Sequence, residues 1–238
     1  MLHGCTQNPD DFALGTRMHQ LAQPHQYVVA YPGQSTQANP KGCWNWFQSA
    51  QQKREGHEVS RLVQITLDLI QQYNIPPHRV FVAGMSAGGA MATILAHTYP
   101  DLFRALGVHS GMPAGIAGNL ISGLAAMRGL RLGKSPLPSI TLPTIVFQGA
   151  QDKVVHPSNA QRLIETVTDR SSQHLSQHAD HSLTHHLDQR GRVRAEFWSV
   201  HSLGHAWSGG SPLGSYTEPS GPNASSQMLR FFLDRTLD

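Results

Sequence analysis

The segment Gly84-Met85-Ser86-Ala87-Gly88 has the residue types and spacing of a serine nucleophile held in a sharp turn. Glycines on both sides of Ser86 allow a turn too tight for larger side chains, and such a strained turn exposes the serine hydroxyl. The segment 79–83, which is apolar after Arg79, predicts a strand before the turn, and the residues from Ala87 onward predict a helix after it. This context indicates acyl transfer by Ser86. The alternative interpretation is an ordinary glycine-rich turn.

A serine hydroxyl needs a general base, and that base needs an acidic group to orient it. Where the nucleophile stands on a strand-turn-helix motif, its partners follow in the chain order serine, aspartate, histidine. Asp152 comes just after a predicted strand at 144–147, and His205 follows the strand predicted to end at residue 200. The sequence therefore predicts a catalytic triad of Ser86, Asp152 and His205.

Other residues of the same types compete for two of these roles. The chain contains 15 histidines, and His201, which ends the same predicted strand, is the nearest alternative to His205 as the base. Asp152 has a structural alternative too, which is to cap the helix that follows it. The competing aspartates, none of which follows a convincing parallel strand, are Asp169, Asp180 and Asp188.

A tetrahedral intermediate of acyl transfer also needs two backbone N–H donors for its oxyanion. The amide of Ala87, directly after the nucleophile, is predicted to be one donor. The second donor normally lies on a loop after an early strand, and Leu2-His3-Gly4-Cys5 has this character. We therefore expect the Cys5 amide to be the second donor. A simple tight turn is the alternative.

These residues must be positioned by elements that alternate between apolar runs and amphipathic segments, which is typical of βαβ units. The pattern predicts an α/β fold with a mostly parallel sheet flanked by helices, in one domain over residues 1–238. Strands are predicted at 27–31, 79–83, 105–108 and 144–147, and a hairpin at 182–186 and 194–200. Helices are predicted at 9–21, 58–73, 87–97 and 223–237. Residues 111–141 form an insertion that could cover a cleft.

Composition excludes several classes of protein. The net charge of +3 comes from scattered residues without a basic run, so nucleic acid is not an expected partner. No segment approaches the roughly 18 continuous apolar residues of a membrane-spanning helix, so we expect no membrane partner either.

Five histidines lie in the Ser- and Gln-rich segment 174–186, and we interpret this segment as a solvated loop before the hairpin. Their spacing suits one face of a helix, but the helical periodicity is weak, so we predict no metal site. A His-rich metal-binding protein is kept as an alternative. The histidines are His174, His178, His181, His185 and His186.

Five motifs spread over nearly the whole chain carry a resemblance to a known family. They are Leu2-His3-Gly4-Cys5-Thr6-Gln7, Cys43-Trp44-Asn45-Trp46-Phe47, Gly84-Met85-Ser86-Ala87-Gly88-Gly89-Ala90-Met91, Tyr99-Pro100-Asp101-Leu102-Phe103 and Gly204-His205-Ala206-Trp207-Ser208-Gly209-Gly210. The chain resembles the polyhydroxybutyrate-depolymerase-type esterases of the α/β-hydrolase superfamily, which include poly(3-hydroxyalkanoate) depolymerases and feruloyl or acetylxylan esterases.

The resemblance implies hydrolysis of carboxylic esters through an acyl-serine intermediate, without a cofactor, by Ser86, Asp152 and His205. The substrate would be a poly- or oligo-hydroxyalkanoate or a feruloyl or acetyl ester of the plant cell wall. Family members are commonly secreted, which implies an extracellular or periplasmic location. A disulfide between Cys5 and Cys43 would suit an oxidising compartment and would restrain the predicted oxyanion loop, residues 2–5. Three tryptophans, which either line the substrate cleft or pack in the core, are Trp44, Trp46 and Trp207.

The chain departs from the family pattern at its start. In such esterases the Leu-His-Gly stretch ends a buried strand that follows earlier strands of the sheet, whereas here Met1 stands at mid-strand. We therefore expect an N-terminally truncated sequence that lacks those strands and whose reading frame continues upstream, where an export signal would lie. The alternative function is a non-catalytic polymer- or carbohydrate-binding module, inactive through truncation.

Overall fold

The structure is a computed structural model that describes residues 1–168 and 172–236. Its centre is a six-stranded sheet in the order β1-β2-β3-β6-β5-β4. The strands are β1 (Phe81–Met85), β2 (Ala105–His109), β3 (Thr144–Gly149), β4 (Ser172–Gln177), β5 (His181–Leu187) and β6 (Val193–Val200). A separate two-stranded ribbon joins β7 (Trp207–Ser208) and β8 (Thr217–Glu218).

Four neighbouring strands of the sheet, β1, β2, β3 and β6, run parallel. Strands β5 and β4 continue the sheet in antiparallel pairs, and the predicted hairpin joins β5 to β6 around Gly191, whose φ is +75°. The prediction of a mostly parallel sheet is confirmed. Beyond β1 the described residues add one parallel bridge, between Leu2 and Gly84.

Helices cover both faces of the sheet. They are α1 (Pro9–Thr16), α2 (Met18–Ala22), α3 (His57–Tyr73), α4 (Ala87–Thr98), α5 (Leu120–Met127), α6 (Ser158–Val167) and α7 (Ala224–Asp234). Side chains of α3, α4 and α6 share one core with Val82 and Val108, whereas α1, α2 and α7 share the other with Met85 and Phe147. Successive strand residues point to opposite faces, so both faces of these strands are apolar and buried. The α/β-hydrolase architecture is therefore confirmed.

Some predicted elements differ from the observed ones. Residues 27–31 are not a strand: within the described chain this segment joins no ladder, and its Ala30 carbonyl oxygen instead accepts from the N-terminal amino group of Met1 over 3.0 Å. The helix predicted at 9–21 is divided at Arg17, which has a φ of +52°.

Residues 174–177 of the His-rich segment were expected to be a loop but belong to β4, whereas the hairpin strand predicted at 182–186 lies within β5. Strand β4 is largely exposed, and apart from Leu175 its side chains are polar. A strand of this kind lacks the apolar alternation from which strands are recognised, which explains why the sequence pattern missed it.

Among the described residues, no helix is both long enough and apolar enough to cross a membrane.

Candidate active site

Ser86 stands between the end of β1 and the start of α4, in a backbone conformation with a φ of +56° and a ψ of −121°. This region disfavours residues with a Cβ, so the surrounding structure must hold Ser86 in place. Its N–H donates to the His109 carbonyl oxygen over 3.0 Å, which ties the turn to the end of β2. Strained geometry of this kind is typical of a nucleophile turn.

The glycines around Ser86 are required by close backbone approaches. A Cβ on Gly84 would overlap the carbonyl of Gly88, and a Cβ on Gly88 would overlap the carbonyl oxygen of Leu2. The Leu2 segment lies beside β1, with the Leu2 N–H donating to Ala83 over 2.8 Å. The two glycines therefore let the turn close and bring the loop that follows Leu2 beside Ser86.

Asp152 is buried in the loop after β3 and accepts a hydrogen bond from His205, with 2.8 Å between Oδ2 and Nδ1. Its other oxygen, Oδ1, accepts the backbone N–H groups of Val154 and Val155 over 2.9 and 2.8 Å. Burial by itself raises the pKa of Asp152, but the hydrogen bond and charge of His205 and the two amides outweigh it, so the pKa lies below its usual value. The carboxylate is thus kept ionised toward the imidazole.

Ser86 and His205 line the same cavity, which has a volume of about 560 Å³. Within the described part of the chain, no hydrogen bond joins the Ser86 hydroxyl to the His205 ring. The alternative base, His201, is exposed and has its Nδ1 atom 3.3 Å from the Ala179 carbonyl oxygen.

Two of the aspartates that compete with Asp152 for the orienting role have other ion-pair partners. Asp180 pairs with His181 at 2.7 Å, and Asp188 pairs with Arg192 at 2.9 Å. Asp169 lies outside the described residues.

The two predicted oxyanion donors stand on adjacent segments. Ala87 is the first residue of α4, where a backbone N–H has no acceptor within the helix. Cys5 lines the cavity, and none of the described residues accepts its N–H. Cys5 and Cys43 form a disulfide, which links the oxyanion loop to the segment that contains Trp44 and Trp46.

The three tryptophans predicted as substrate contacts lie in different places. Trp46 lines the cavity, but Trp44 and Trp207 do not. Trp44 is buried and donates from Nε1 to the His3 carbonyl oxygen, and Trp207 is buried and donates from Nε1 to the Ser225 hydroxyl. This placement favours the core-packing alternative for Trp44 and Trp207, because both indole N–H groups have partners inside the protein.

The family model described as Esterase PHB depolymerase matches residues 1–174 of the 238 residues. The chain belongs to this family.

Relatives of this chain include proteins named as a depolymerase and as acetylxylan esterases. The poly(3-hydroxyalkanoate) depolymerase C of Paucimonas lemoignei is 30% identical over 183 residues, covering 70% of this chain and 43% of the relative. The probable acetylxylan esterase A of Aspergillus fumigatus is 31% identical over 178 residues, covering 66% of this chain and 47% of the relative. The chain thus spans less than half the length of these relatives.

Solved structures support the same fold. The acetyl xylan esterase from Aspergillus awamori superimposes with a TM-score of 0.67 at 17% sequence identity, covering 86% of this chain and 81% of that chain. At this identity the similarity concerns the fold.

The sequence pattern does not identify three further residues near the site, which are Thr6, Tyr216 and His109. Tyr216 lines the cavity, and its hydroxyl lies 3.0 Å from the Thr6 hydroxyl, so it joins the loop after His205 to the oxyanion loop. His109 is buried between Phe147 and the Trp207 ring, and its Nε2 accepts the Ser208 N–H over 3.1 Å. None of the three, Thr6, Tyr216 or His109, has a spacing that identifies its role, because their partners are distant in sequence.

Among the described residues, no group of three or more His, Cys, Asp or Glu side chains is arranged to hold a metal ion. The His-rich segment therefore provides no converging set of ligands for the metal-binding hypothesis.

Proposed function

We propose that this chain is a serine esterase in which Ser86 attacks the carbonyl carbon of an ester, His205 acts as its base and Asp152 orients that base. The observation that carries the proposal is the 2.8 Å hydrogen bond between Asp152 and His205 at the cavity that also holds the strained Ser86. Side chains that converge in this way support a catalyst over the alternative of a non-catalytic binding module.

The hydrogen bond to Asp152 assigns a proton to His205 Nδ1 and leaves Nε2 available to accept the proton of the Ser86 hydroxyl. As Ser86 Oγ bonds to the ester carbon, the carbonyl oxygen becomes an oxyanion that the N–H groups of Cys5 and Ala87 would stabilise. The imidazolium then protonates the leaving alkoxide, which departs as an alcohol. Water, deprotonated by His205, then bonds to the acyl carbon; the bond between this carbon and Ser86 Oγ breaks, the acid leaves, and His205 returns the proton to Oγ.

Catalysis requires a hydrogen bond between Ser86 Oγ and His205 Nε2, and the described residues do not show one. Catalytic hydrogen bonds are often long in unliganded enzymes and shorten when substrate binds.

We propose a hydroxyalkanoate polyester, its oligomers, or a feruloyl or acetyl cell-wall ester as the substrate, since relatives are named as poly(3-hydroxyalkanoate) depolymerase and acetylxylan esterase. The cavity supports an ester with an apolar acyl group, because a set of apolar side chains forms much of its wall. These are Trp46, Phe47, Leu120, Leu124, Met127 and Val154.

The Cys5–Cys43 disulfide supports an extracellular or periplasmic location.

Labelling with a fluorophosphonate probe tests the proposal directly. We expect one adduct, located by mass on Ser86, that is absent from Ser86→Ala and retained in the matched control Ser226→Ala, which changes an exposed serine on α7. A folded sample that takes no label would overturn the proposal.

Hydrolysis rates on p-nitrophenyl butyrate, a polyhydroxybutyrate film and acetylated xylan then distinguish the substrate classes. We expect Ser86→Ala to abolish hydrolysis of whichever substrate the wild type accepts.

A further inference from the structure

His3 is a buried histidine within the predicted oxyanion loop, residues 2–5, and the mechanism above gives it no role. Both of its ring nitrogens have polar neighbours. The backbone N–H of Gln34 donates to Nε2 over 3.2 Å, and Nδ1 lies 2.8 Å from the Gly4 carbonyl oxygen.

These two contacts determine where the His3 ring carries its proton. A backbone N–H can only donate, so Nε2 must be unprotonated where it accepts from Gln34. The proton of a neutral ring is then on Nδ1, which donates to the Gly4 carbonyl oxygen. Burial lowers the pKa of His3, although the hydrogen bond to Gly4 opposes this effect, so the ring is neutral at pH 7.

The Gly4 carbonyl and the Cys5 N–H belong to the same peptide unit. This peptide is trans and planar, so its C=O and N–H point in opposite directions. A hydrogen bond that holds the carbonyl therefore also sets the direction of the Cys5 N–H.

The neighbouring amides of the loop are already used. The Gly4 N–H donates to the Gln7 side chain over 2.9 Å, and the Thr6 N–H donates to the Lys41 carbonyl oxygen over 2.7 Å. Between them, the Cys5 N–H meets no acceptor in the described part of the chain, although Cys5 lines the cavity that contains Ser86. Among the described amides of residues 4–6, the Cys5 N–H is thus the one without an acceptor.

We propose that His3 is a positioning residue for ester hydrolysis, whose Nδ1–H holds the Gly4 carbonyl and so directs the Cys5 N–H toward the oxyanion. The inference rests on the proposed function, since it assumes that the Cys5 amide acts in acyl transfer. The disulfide restrains the side chain of Cys5, whereas its peptide plane is restrained at the Gly4 carbonyl oxygen by His3 over 2.8 Å and, more weakly, by the Gln7 N–H over 3.3 Å. His3 is itself held by Trp44, whose Nε1–H donates to the His3 carbonyl oxygen over 3.1 Å.

The variants His3→Leu and His3→Asn test this role, because the Asn amide retains an N–H near the position of Nδ1 and Leu has none. With p-nitrophenyl butyrate, we expect His3→Leu to lower kcat on the order of tenfold to a hundredfold, with KM changed less than about twofold. We expect His3→Asn to recover most of the loss.

A trifluoromethyl ketone, which forms a tetrahedral adduct with the serine, should bind His3→Leu more weakly by the same factor by which kcat/KM falls. A folded His3→Leu with wild-type kcat, or equal losses in the Leu and Asn variants, would overturn the inference. Absence of hydrolysis by the wild type itself would instead contradict the proposed function.

A measurement on the unmodified protein keeps the inference testable if His3→Leu does not fold. The ¹⁵N chemical shifts of the His3 ring at pH 7 are expected to show a protonated Nδ1 and an unprotonated Nε2. The opposite tautomer would remove the hydrogen bond to Gly4 and with it the inference.

Discussion

The Nδ1 atom of His205 lies 2.8 Å from Oδ2 of Asp152, although the two residues are separated by 53 positions in the chain. The orientation of Asp152 does not depend on the histidine alone, because the backbone N–H groups of Val154 and Val155 donate to its other oxygen, Oδ1. The carboxylate therefore presents one oxygen to the imidazole in a fixed direction. If the protein is a serine esterase, this contact sets the tautomer of its base.

Replacement of Asp152 by Asn is expected to lower kcat for p-nitrophenyl butyrate by roughly a thousandfold or more, because an amide does not stabilise the productive tautomer and the imidazolium as a carboxylate does. Steady-state kinetics on folded protein measure this effect. Asp180→Asn is the matched control, since it removes another Asp–His pair, with His181 at 2.7 Å, in which the aspartate is exposed. Equal activities of the two variants would argue against Asp152 as the orienting residue.

Removal of the disulfide by Cys5→Ser together with Cys43→Ser is expected to lower the free energy of unfolding by about 2–4 kcal/mol, because the bond closes a chain segment with a sequence separation of 38. We also expect kcat to fall, since Cys5 belongs to the oxyanion loop. Guanidinium chloride unfolding and ester hydrolysis measure the two effects. Reductant should lower the free energy of unfolding and kcat of the wild type and leave both quantities unchanged in the double variant. A reduced wild type that carries two verified free thiols and keeps the free energy of unfolding of the oxidised protein would contradict this prediction.

His109 is expected to make folding stability depend on pH in the acidic range. Burial, assisted by the charge of His205, lowers the pKa of His109 to about 3, whereas an unfolded histidine has a pKa of about 6.5. Between these values the unfolded chain binds a proton here that the folded chain does not. The free energy of unfolding therefore falls as the pH decreases from about 6.5 toward about 3, by about 1.4 kcal/mol per pH unit, and this penalty is absent at higher pH.

The variant His109→Gln isolates this contribution. Denaturant unfolding between pH 4 and pH 6 should give a slope of stability against pH that is smaller by about 1.4 kcal/mol per pH unit than in the wild type. His201→Gln, which changes an exposed histidine, should keep the wild-type slope. Identical slopes in all three proteins would show that His109 takes up a proton without unfolding.

The amino-acid sequence was sufficient to predict features that depend on local chemistry. The turn around Ser86 is encoded by its two glycines, between an apolar run and a helix-forming segment, and the observed β1 and α4 meet there. Chain order was sufficient to place Asp152 and His205 in loops at the same sheet edge, because both loops follow strands that run parallel to β1. These features depend on neighbouring residues and on the order of elements along the chain, so they can be predicted without knowing how the side chains pack.

Only the tertiary structure decided which side chains face the cavity. Trp44 and Trp46 are two residues apart in one motif, yet the first is bound to a backbone carbonyl in the interior and the second lines the cavity. The contact of Tyr216 with Thr6 and the contacts of His3 with the Gly4 carbonyl and the Gln34 amide are likewise set by how segments come together. Burial and hydrogen bonding between distant segments depend on packing that residue type and spacing do not encode.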